Sequence, residues 1–330
     1  LATGDCRENR REDFCTRITA VAPCAPGTPA PLWERFLDRV TGGDAELIAF
    51  LQRVAGYSLT GSVREHALFF FYGSGRNGKG VWLNTVSRIL NSYSATATMD
   101  AFMASHGTQH TTDLAMLAGA RLVTAQETEE GRHWAEAKVK AITGGDPITA
   151  RKMRQDNFTF EPSFKIAIAG NHKPNLRTVD EAIRARLHLI PFTVTIPEGE
   201  RDPDLPDKLR KEWPAILTWM IEGCMDWQER GLCPPANVRA ATSEYFADED
   251  TFTTWIDECC TRDADSWERL SDLFGNYRDW IGRTGEQPAR QKEFKAAMRA
   301  RGFHERKRSV TGFLGLEINR PNYTDDPRVR

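Results

Sequence analysis

The stretch "HALFFFYGSGRNGKGVWLNTVSRIL", residues 66–90, constrains the fold more than any other part of this chain. "ALFFFY" is a continuous apolar run of strand length. Such a run belongs to a central strand covered on both faces, because an edge or half-exposed strand would alternate apolar with polar residues. "VWLNTVSRIL" has apolar residues at helical spacing. Between them "GSGRNGKG" offers glycines that let backbone N–H groups point at one anion, and a lysine that reaches its outer phosphates. The positive end of the following helix faces the same place. A glycine-rich turn with a chance lysine is the plainer reading. The strand–loop–helix frame favours a phosphate-binding loop, with Gly73, Ser74, Gly75, Arg76, Asn77, Gly78, Lys79, Gly80 and Val81 as its residues. Gly80 is a departure: loops of this type carry Ser or Thr there, whose hydroxyl ligates Mg2+. A water fills that coordination place, or metal binding and hydrolysis are weakened.

The rest of the chain repeats the alternation of strand and helix. "RLVTAQ" (121–126) reads as a second core strand, and the acidic "ETEEG" at its end supplies Glu127 and Glu129, with Glu130 behind them. Acids at the end of a neighbouring strand are what a nucleotide hydrolase needs to hold metal and polarise water, although such a run is also an ordinary solvated turn. A helix over "HWAEAKVKAIT" follows, then a hairpin over "GGDPITARKMRQDNFTFEP". A third strand, "FKIAIAGN", ends at Asn171, which reads as a turn former on its own and, in its order after the other two motifs, as a residue to orient water. "DEAIRARLHLIPF" reads as a short helix running into a fourth strand. This order predicts an α/β fold around a mostly parallel sheet.

Upstream, "LWERFLDRV" and "DAELIAFLQRVAG" are two helical patterns behind an irregular, Pro- and Gly-rich lead-in. Residues 205–262 are helix-patterned and Trp-rich, with no clear strand. Helices over "WERLSDLFGNYRDWIG" and "ARQKEFKAAMRARG", then a two-stranded segment around "FHERKRSVTGFLGLEI", predict a winged-helix module. The tryptophans at 213, 219, 227, 255, 267 and 280 sit among other apolar residues and are read as core rather than as base-stacking platforms. The domains expected are 1–60, lead-in and helical segment; 61–200, nucleotide-binding core; 201–262, helical region; and 263–330, winged-helix-like domain.

With 330 residues and a formal net charge of −2 the chain is no polycation, so any nucleic-acid contact must come from local patches. No apolar run approaches the roughly 18 residues of a membrane span. Seven cysteines without a C-x-x-C pair read as reduced thiols in a cytosolic protein. The chain begins at Leu1, and a longer protein with a missing N-terminal part is expected.

Taken in order, "GYSLTG…EHALFFFYGSGRNGKG", "ETEEG", "ITGGDPITAR", "AGNHKPN" and "DEAIRARLHLIPF" resemble the superfamily 3 helicases, in the branch found in primase–helicases of phages, plasmids and large DNA viruses. The flanking "PLWERFLDRV" and "LFGNYRDWIGRTGEQPARQKEFKAAMRARGF" resemble the family's helical lead and winged-helix tail, so the resemblance covers about residues 31–320. It implies an AAA+-type, ring-forming ATPase, usually hexameric, that moves on single-stranded DNA, typically 3′ to 5′, with ATP and Mg2+. On this resemblance Lys79 matches the loop lysine and Asn171 the polar sensor. Glu127 and Glu129 fall in the acidic motif, and Glu127 is taken as the metal-side acid. Relatives often carry two adjacent arginines where this chain has "IRARL". Arg186, with Arg184 second, is expected to be the finger delivered to a neighbouring subunit's nucleotide.

The resemblance also places the hairpin in the ring channel. Arg151, Lys152 and Arg154 at its tip suit charge-driven, sequence-independent contacts to single-stranded DNA, although a solvated hairpin tip has the same composition. A second basic patch, with eight Lys or Arg against two Glu between Pro288 and Val310, suits DNA or a protein partner. A primase domain or replication initiation proteins are the expected partners beyond the homo-oligomer. The alternative to a helicase is a catalytically weak, NTP-binding oligomeric scaffold or loader in replication, with Gly80 as its mark.

Overall fold

The computed structural model describes residues 1, 3, 7–8, 10–104, 112–126, 132–176, 179–284 and 288–320. The chain divides into two compact units, Leu1–Glu249 and Asp250–Arg330.

The first unit opens with an irregular segment and two helices. In α1 (Pro31–Thr41), proline at the first turn fixes the helical φ without forfeiting a needed N–H, and Gly42 ends the helix in the left-handed region. In α2 (Ala45–Ser58), the Asp44 carboxylate accepts the Leu47 N–H at 3.0 Å and caps the first turn. Then come β1 (Leu68–Tyr72), α3 (Lys79–Leu90), β2 (Ser94–Thr96), α4 (Thr112–Ala115), β3 (Leu122–Gln126) and α5 (Glu136–Gly144). The hairpin is β4 (Ile148–Arg151) with β5 (Asn157–Phe160). It is followed by β6 (Lys165–Gly170), α6 (Glu181–Arg184), β7 (Leu187–Pro191), α7 (Leu205–Leu209), α8 (Trp213–Arg230) and α9 (Ala236–Glu249).

Five strands form one parallel sheet in the order β2-β3-β6-β1-β7. β1 lies inside it, and its alternate residues serve two cores. Phe69 and Phe71 pack with α1, α2, α3 and α8, while Leu68 and Phe70 pack on the opposite face with Trp134, Ile168 and Leu189. This is why the sequence there is apolar without alternation. β7 is an edge strand whose Leu189 N–H donates to Thr242 Oγ1 on α9 at 3.0 Å, so a helix covers the edge. Lys165, at the start of β6, is 1% exposed. Its ammonium donates to the Thr60 and Ser62 carbonyls and lies over the Tyr57 ring, and burial holds its pKa well below the usual value.

The second unit contains α10 (Thr251–Cys259), β8 (Cys260–Thr261), β9 (Trp267–Arg269), α11 (Leu270–Thr284), α12 (Gln291–Ala300), β10 (His304–Lys307), β11 (Thr311–Leu314) and β12 (Glu317–Ile318). The antiparallel sheet β10-β11-β9 and the pair β8/β12 enclose a core of Phe252, Trp255, Phe294 and Phe313. Three sequence expectations are corrected here. "WER" is a strand rather than the first turn of a helix, because Trp267 lies across Gly312, where an added Cβ would come within 2.5 Å of the indole. The expected two-stranded segment is accordingly a three-stranded sheet. The helical region also ends in a short strand at Cys260–Thr261, where none was expected.

Among the described residues no helix is long and apolar enough to cross a membrane, and Cys15, Cys24, Cys224, Cys233, Cys259 and Cys260 are free thiols.

Candidate functional site

The loop between β1 and α3 is held in an unusual backbone conformation by contacts on both sides. Gly73 (φ 153°), Gly75 (φ 84°), Arg76 (φ 53°) and Gly78 (φ 87°) all have positive φ. At two of these positions a side chain is also excluded by neighbours. A Cβ on Gly73 would lie 2.1 Å from the Phe192 carbonyl oxygen, and one on Gly78 would lie 2.4 Å from Val40 Cγ1. The Asn77 side chain, 2% exposed, donates to the Phe192 carbonyl at 2.7 Å, and the Ile196 N–H donates to the Arg76 carbonyl at 3.0 Å. The loop is thus tied to the chain leaving β7.

The first intrahelical bond of α3 runs from the Trp82 N–H to the Gly78 carbonyl at 3.0 Å. The N–H groups of Lys79, Gly80 and Val81 lie before that bond and are left to a ligand, at the positive end of the helix dipole. The Lys79 ammonium donates to the Gly73 carbonyl at 2.7 Å and to Asn171 Oδ1 at 3.3 Å. Its residue is only 6% exposed, and burial lowers its pKa. Among the described residues this buried amine has no carboxylate partner, which suits it to a multivalent anion.

A cavity of about 480 Å3 adjoins this lysine. Gly75 to Val81 line it, with Gln126 at the end of β3 and Ala169, Gly170 and Asn171 at the end of β6. Register explains the convergence: Tyr72 pairs with Gly170 and Gln126 with Ala169, so three neighbouring strands end at one level. Ligand sites of open α/β sheets lie at that edge. Gly73 and Ser74 do not line the cavity; Gly73 contributes its carbonyl to Lys79 instead. Gly80 does line it, and a Cβ there would meet nothing within 4 Å.

Several lining residues were not anticipated from the sequence. Asn84, Thr85 and Arg88 lie along α3, and Pro206 and Trp213 come from α7 and α8. Asn84 and Arg88 follow Gly80 at helical spacing, a signal the sequence does carry. Pro206 and Trp213 are brought in by the packing of distant segments, and no local pattern marks them.

Glu127 and Glu129 lie outside the described residues; the chain enters that acidic run directly from Gln126 on the cavity wall. Arg184 and Arg186 are not brought to the cavity. The Leu68 N–H donates to the Arg186 carbonyl at 2.7 Å, which puts Arg186 at the start of β1, the sheet edge opposite the loop. Its guanidinium donates to Thr143 Oγ1 at 3.1 Å and to the Ala182 carbonyl at 2.7 Å, and Arg184 lies over the Phe246 ring. Arg151, Lys152 and Arg154 are exposed on the β4/β5 hairpin with Met153, which is 77% exposed.

Taken together, fold and site define an α/β protein with a phosphate-loop-like turn at the C-terminal edge of a five-stranded parallel sheet. Comparison with known proteins agrees with that class. A family of unknown function (DUF5906) matches residues 71–186, which run from the end of β1 to Arg186. "Putative helicase 022R" of Frog virus 3 (isolate Goorha) is 24% identical over 254 residues, 70% of this chain and 26% of that protein. "Putative helicase L207/L206" of Acanthamoeba polyphaga mimivirus is 23% identical over 258 residues, 72% of this chain and 27% of that one. The chain thus spans about a quarter of the length of the curated relatives it matches. Among solved structures, an apo form of the NrS-1 C-terminal region shares the fold with a TM-score of 0.52 at 11% identity, covering 91% of this chain and 78% of that one. A second apo structure of that region (305-718) gives 0.51 at 12% identity, with coverage of 91% and 77%.

Proposed function

We propose that this chain is the motor part of an ATP-driven DNA helicase of superfamily 3 and AAA+ type, acting in the replication of a phage, plasmid or related mobile element. The observation that carries the reading is the Lys79 ammonium, fixed between the loop carbonyl of Gly73 and the strand-end amide of Asn171 beside a cavity of about 480 Å3. Distant likeness to viral proteins named as helicases supports the same function.

In this reading the N–H groups of the first turn of α3 and Lys79 bind the β- and γ-phosphates of ATP. Asn171 orients the attacking water, and the acidic run after Gln126 accepts its proton. Bound Mg2+ would neutralise charge on the phosphate oxygens. Glu127 and Glu129, which follow Gln126 in the sequence and lie outside the described residues, would hold such an ion, and the open space at Gly80 would leave room for its waters. Arg186 lies about 16 Å of strand from the loop of its own subunit, at the 3.3 Å rise of a parallel strand. In this reading it acts on a neighbour's nucleotide across the interface of a ring, in this superfamily usually a hexamer. Delivery of that charge across an interface makes hydrolysis depend on assembly. The hairpin cations hold the single strand, moving 3′ to 5′ as the resemblance implies, and the second unit serves as a winged-helix tail that contacts DNA or replication partners.

The test is ATP hydrolysis with and without single-stranded DNA, beside a mass measurement in solution. DNA-stimulated turnover by an oligomer, abolished in Lys79→Ala, is expected. Gly80 favours a second reading, an NTP-binding scaffold or loader. That reading wins if turnover of the parent is already as low as that of Lys79→Ala.

A further inference from the structure

The register of the sheet β10-β11-β9 in the second unit sorts its charges between two faces. Residues paired directly across strands share a face, and faces alternate along each strand. Glu305, Phe313 and Glu268 form one row, and Phe313 is buried, so that row faces the core. The rows on either side of it face outward: Arg306, Gly312 and Arg269, then His304, Leu314 and Trp267. The three strands thus send their carboxylates inward and place none on the outer face. Trp267 is half-buried there, outside the core of this unit. Its indole lies against Gly312, and its Nε1–H donates to the Arg306 carbonyl at 3.2 Å. The Arg308 guanidinium, from the turn between β10 and β11, sits over the same ring, 4.9 Å from its centroid. Arg269, Arg306 and Arg308 are exposed, and none of their guanidinium groups has an ion-pair or hydrogen-bond partner among the described residues. The helix α12 is more nearly balanced. Lys295 and Arg299 both pair with Glu305, Lys295 at 2.5 Å, and Glu293 follows Lys292 in the first turn.

We propose that the outer face of this sheet binds duplex DNA, with Arg269, Arg306 and Arg308 gripping the sugar–phosphate backbone. The proposal rests on the reading of the second unit as a DNA-contacting tail, and it puts the contact on the sheet, whereas a helix is the commoner docking element. A guanidinium presents its donors in a planar fork that matches phosphate oxygens, and stacking on an aromatic ring leaves the edge of that fork free. Arg308 on Trp267 has this arrangement. Single-stranded DNA suits the face less well. Its bases stack on open aromatic rings, and the Trp267 ring already has Gly312 against it and Arg308 over it. Contacts to phosphates carry no sequence information, so the grip is indifferent to base order.

The test measures binding of the full chain to two short duplexes of unrelated sequence, without nucleotide, over a series of salt concentrations. Arg269→Gln, Arg306→Gln and Arg308→Gln combined should lower the slope of log affinity against log salt by about 2.7, at about 0.9 per phosphate, and equally for both duplexes. Lys295→Gln with Arg299→Gln, on α12, is the control and should leave the slope near the parental value. Melting temperatures check that both variants keep the fold. An unchanged slope in the triple variant overturns the proposal. So does an equal fall in the α12 control, which would return the contact to the helix, or a greater loss for single-stranded DNA than for duplex. If the triple variant keeps its duplex affinity and loses binding to a polyglutamate peptide, the face belongs to an acidic protein partner and the proposal fails. A parent that binds no duplex removes the reading of the second unit as a DNA contact, and this inference with it.

Discussion

Gly73 and Gly75 both sit at positive φ, yet they are constrained differently. Around Gly75 an added Cβ meets nothing within 4 Å, so Gly75→Ala carries backbone strain alone, on the order of 1–2 kcal/mol. Gly73→Ala carries the strain and a clash with the Phe192 backbone at 2.1 Å, which cannot swing aside as a side chain would. Denaturant unfolding should rank Gly73→Ala as the costlier change by roughly 2 kcal/mol or more, and equal losses would mean that the strand leaving β7 yields. A second residue-scale prediction concerns acid. Burial against Phe50 and Phe69 holds His188 down at about 4, while an unfolded histidine titrates near ~6.5. The folded protein thus binds fewer protons than the unfolded chain in that window. Stability from this residue is complete above the unfolded value and is lost as pH falls toward 4, by up to about 3 kcal/mol. His188→Phe should flatten that limb of the stability–pH curve; an unchanged limb would assign it to the carboxylates. Of the cavity, the loop from Gly75 to Val81 and Asn171 were legible in the sequence, because the glycine-rich loop is a local pattern and Asn171 ends an obvious apolar strand. Pro206 and Trp213 were not, since they reach the cavity only through the packing of α7 and α8.

The same contrast holds among elements. The strands β1, β3, β6 and β7 announce themselves as apolar runs because both faces of each are covered. β2 escapes such a reading: three small or polar residues, Ser94 to Thr96, form an edge strand paired on one side with β3. β9 escapes for another reason. "WERLSDLF" carries a helical period throughout, and only the long-range fit of Trp267 against Gly312 selects a strand for its first three residues. The β4/β5 hairpin was legible from its polar tip, and its prediction belongs to the element. Phe158 and Phe160 stack at 5.9 Å and stiffen the β5 arm, and Lys152 reaches toward Phe158, leaving the ammonium and guanidinium groups at the tip. If the tip holds phosphates, Lys152→Ala with Arg154→Ala removes two contacts. The slope of log affinity for single-stranded DNA against log salt should then fall by about 1.4, at about 0.7 per phosphate. DNA stimulation of ATP turnover should fall with it. An unchanged slope would assign DNA binding to another surface.

At the scale of the whole molecule, Lys79 and Arg186 lie at opposite ends of the parallel sheet, and in the proposed ring each active site would be shared between two copies. A head-to-tail ring places the loop edge of one subunit against the arginine edge of the next, and every interface is the same. Each complete site then takes its lysine from one copy and its arginine from the neighbour. Lys79→Ala should bind no nucleotide, whereas Arg186→Ala should bind it and fail to turn it over, so both pure variants are inactive. Mixed in equal amounts and allowed to exchange, they should regain activity. A site is intact when its loop comes from an Arg186→Ala copy and its neighbour is a Lys79→Ala copy, which random mixing in such an assembly meets about one time in four. Recovery of about a quarter of parental turnover is therefore expected, with a loss of recovery on dilution below the assembly concentration. Recovery from two dead variants has no explanation within a single chain. No recovery under conditions where labelled subunits demonstrably exchange would remove Arg186 from the shared site and return it to the role its bonds to Thr143 and Ala182 describe, a brace between α5 and α6.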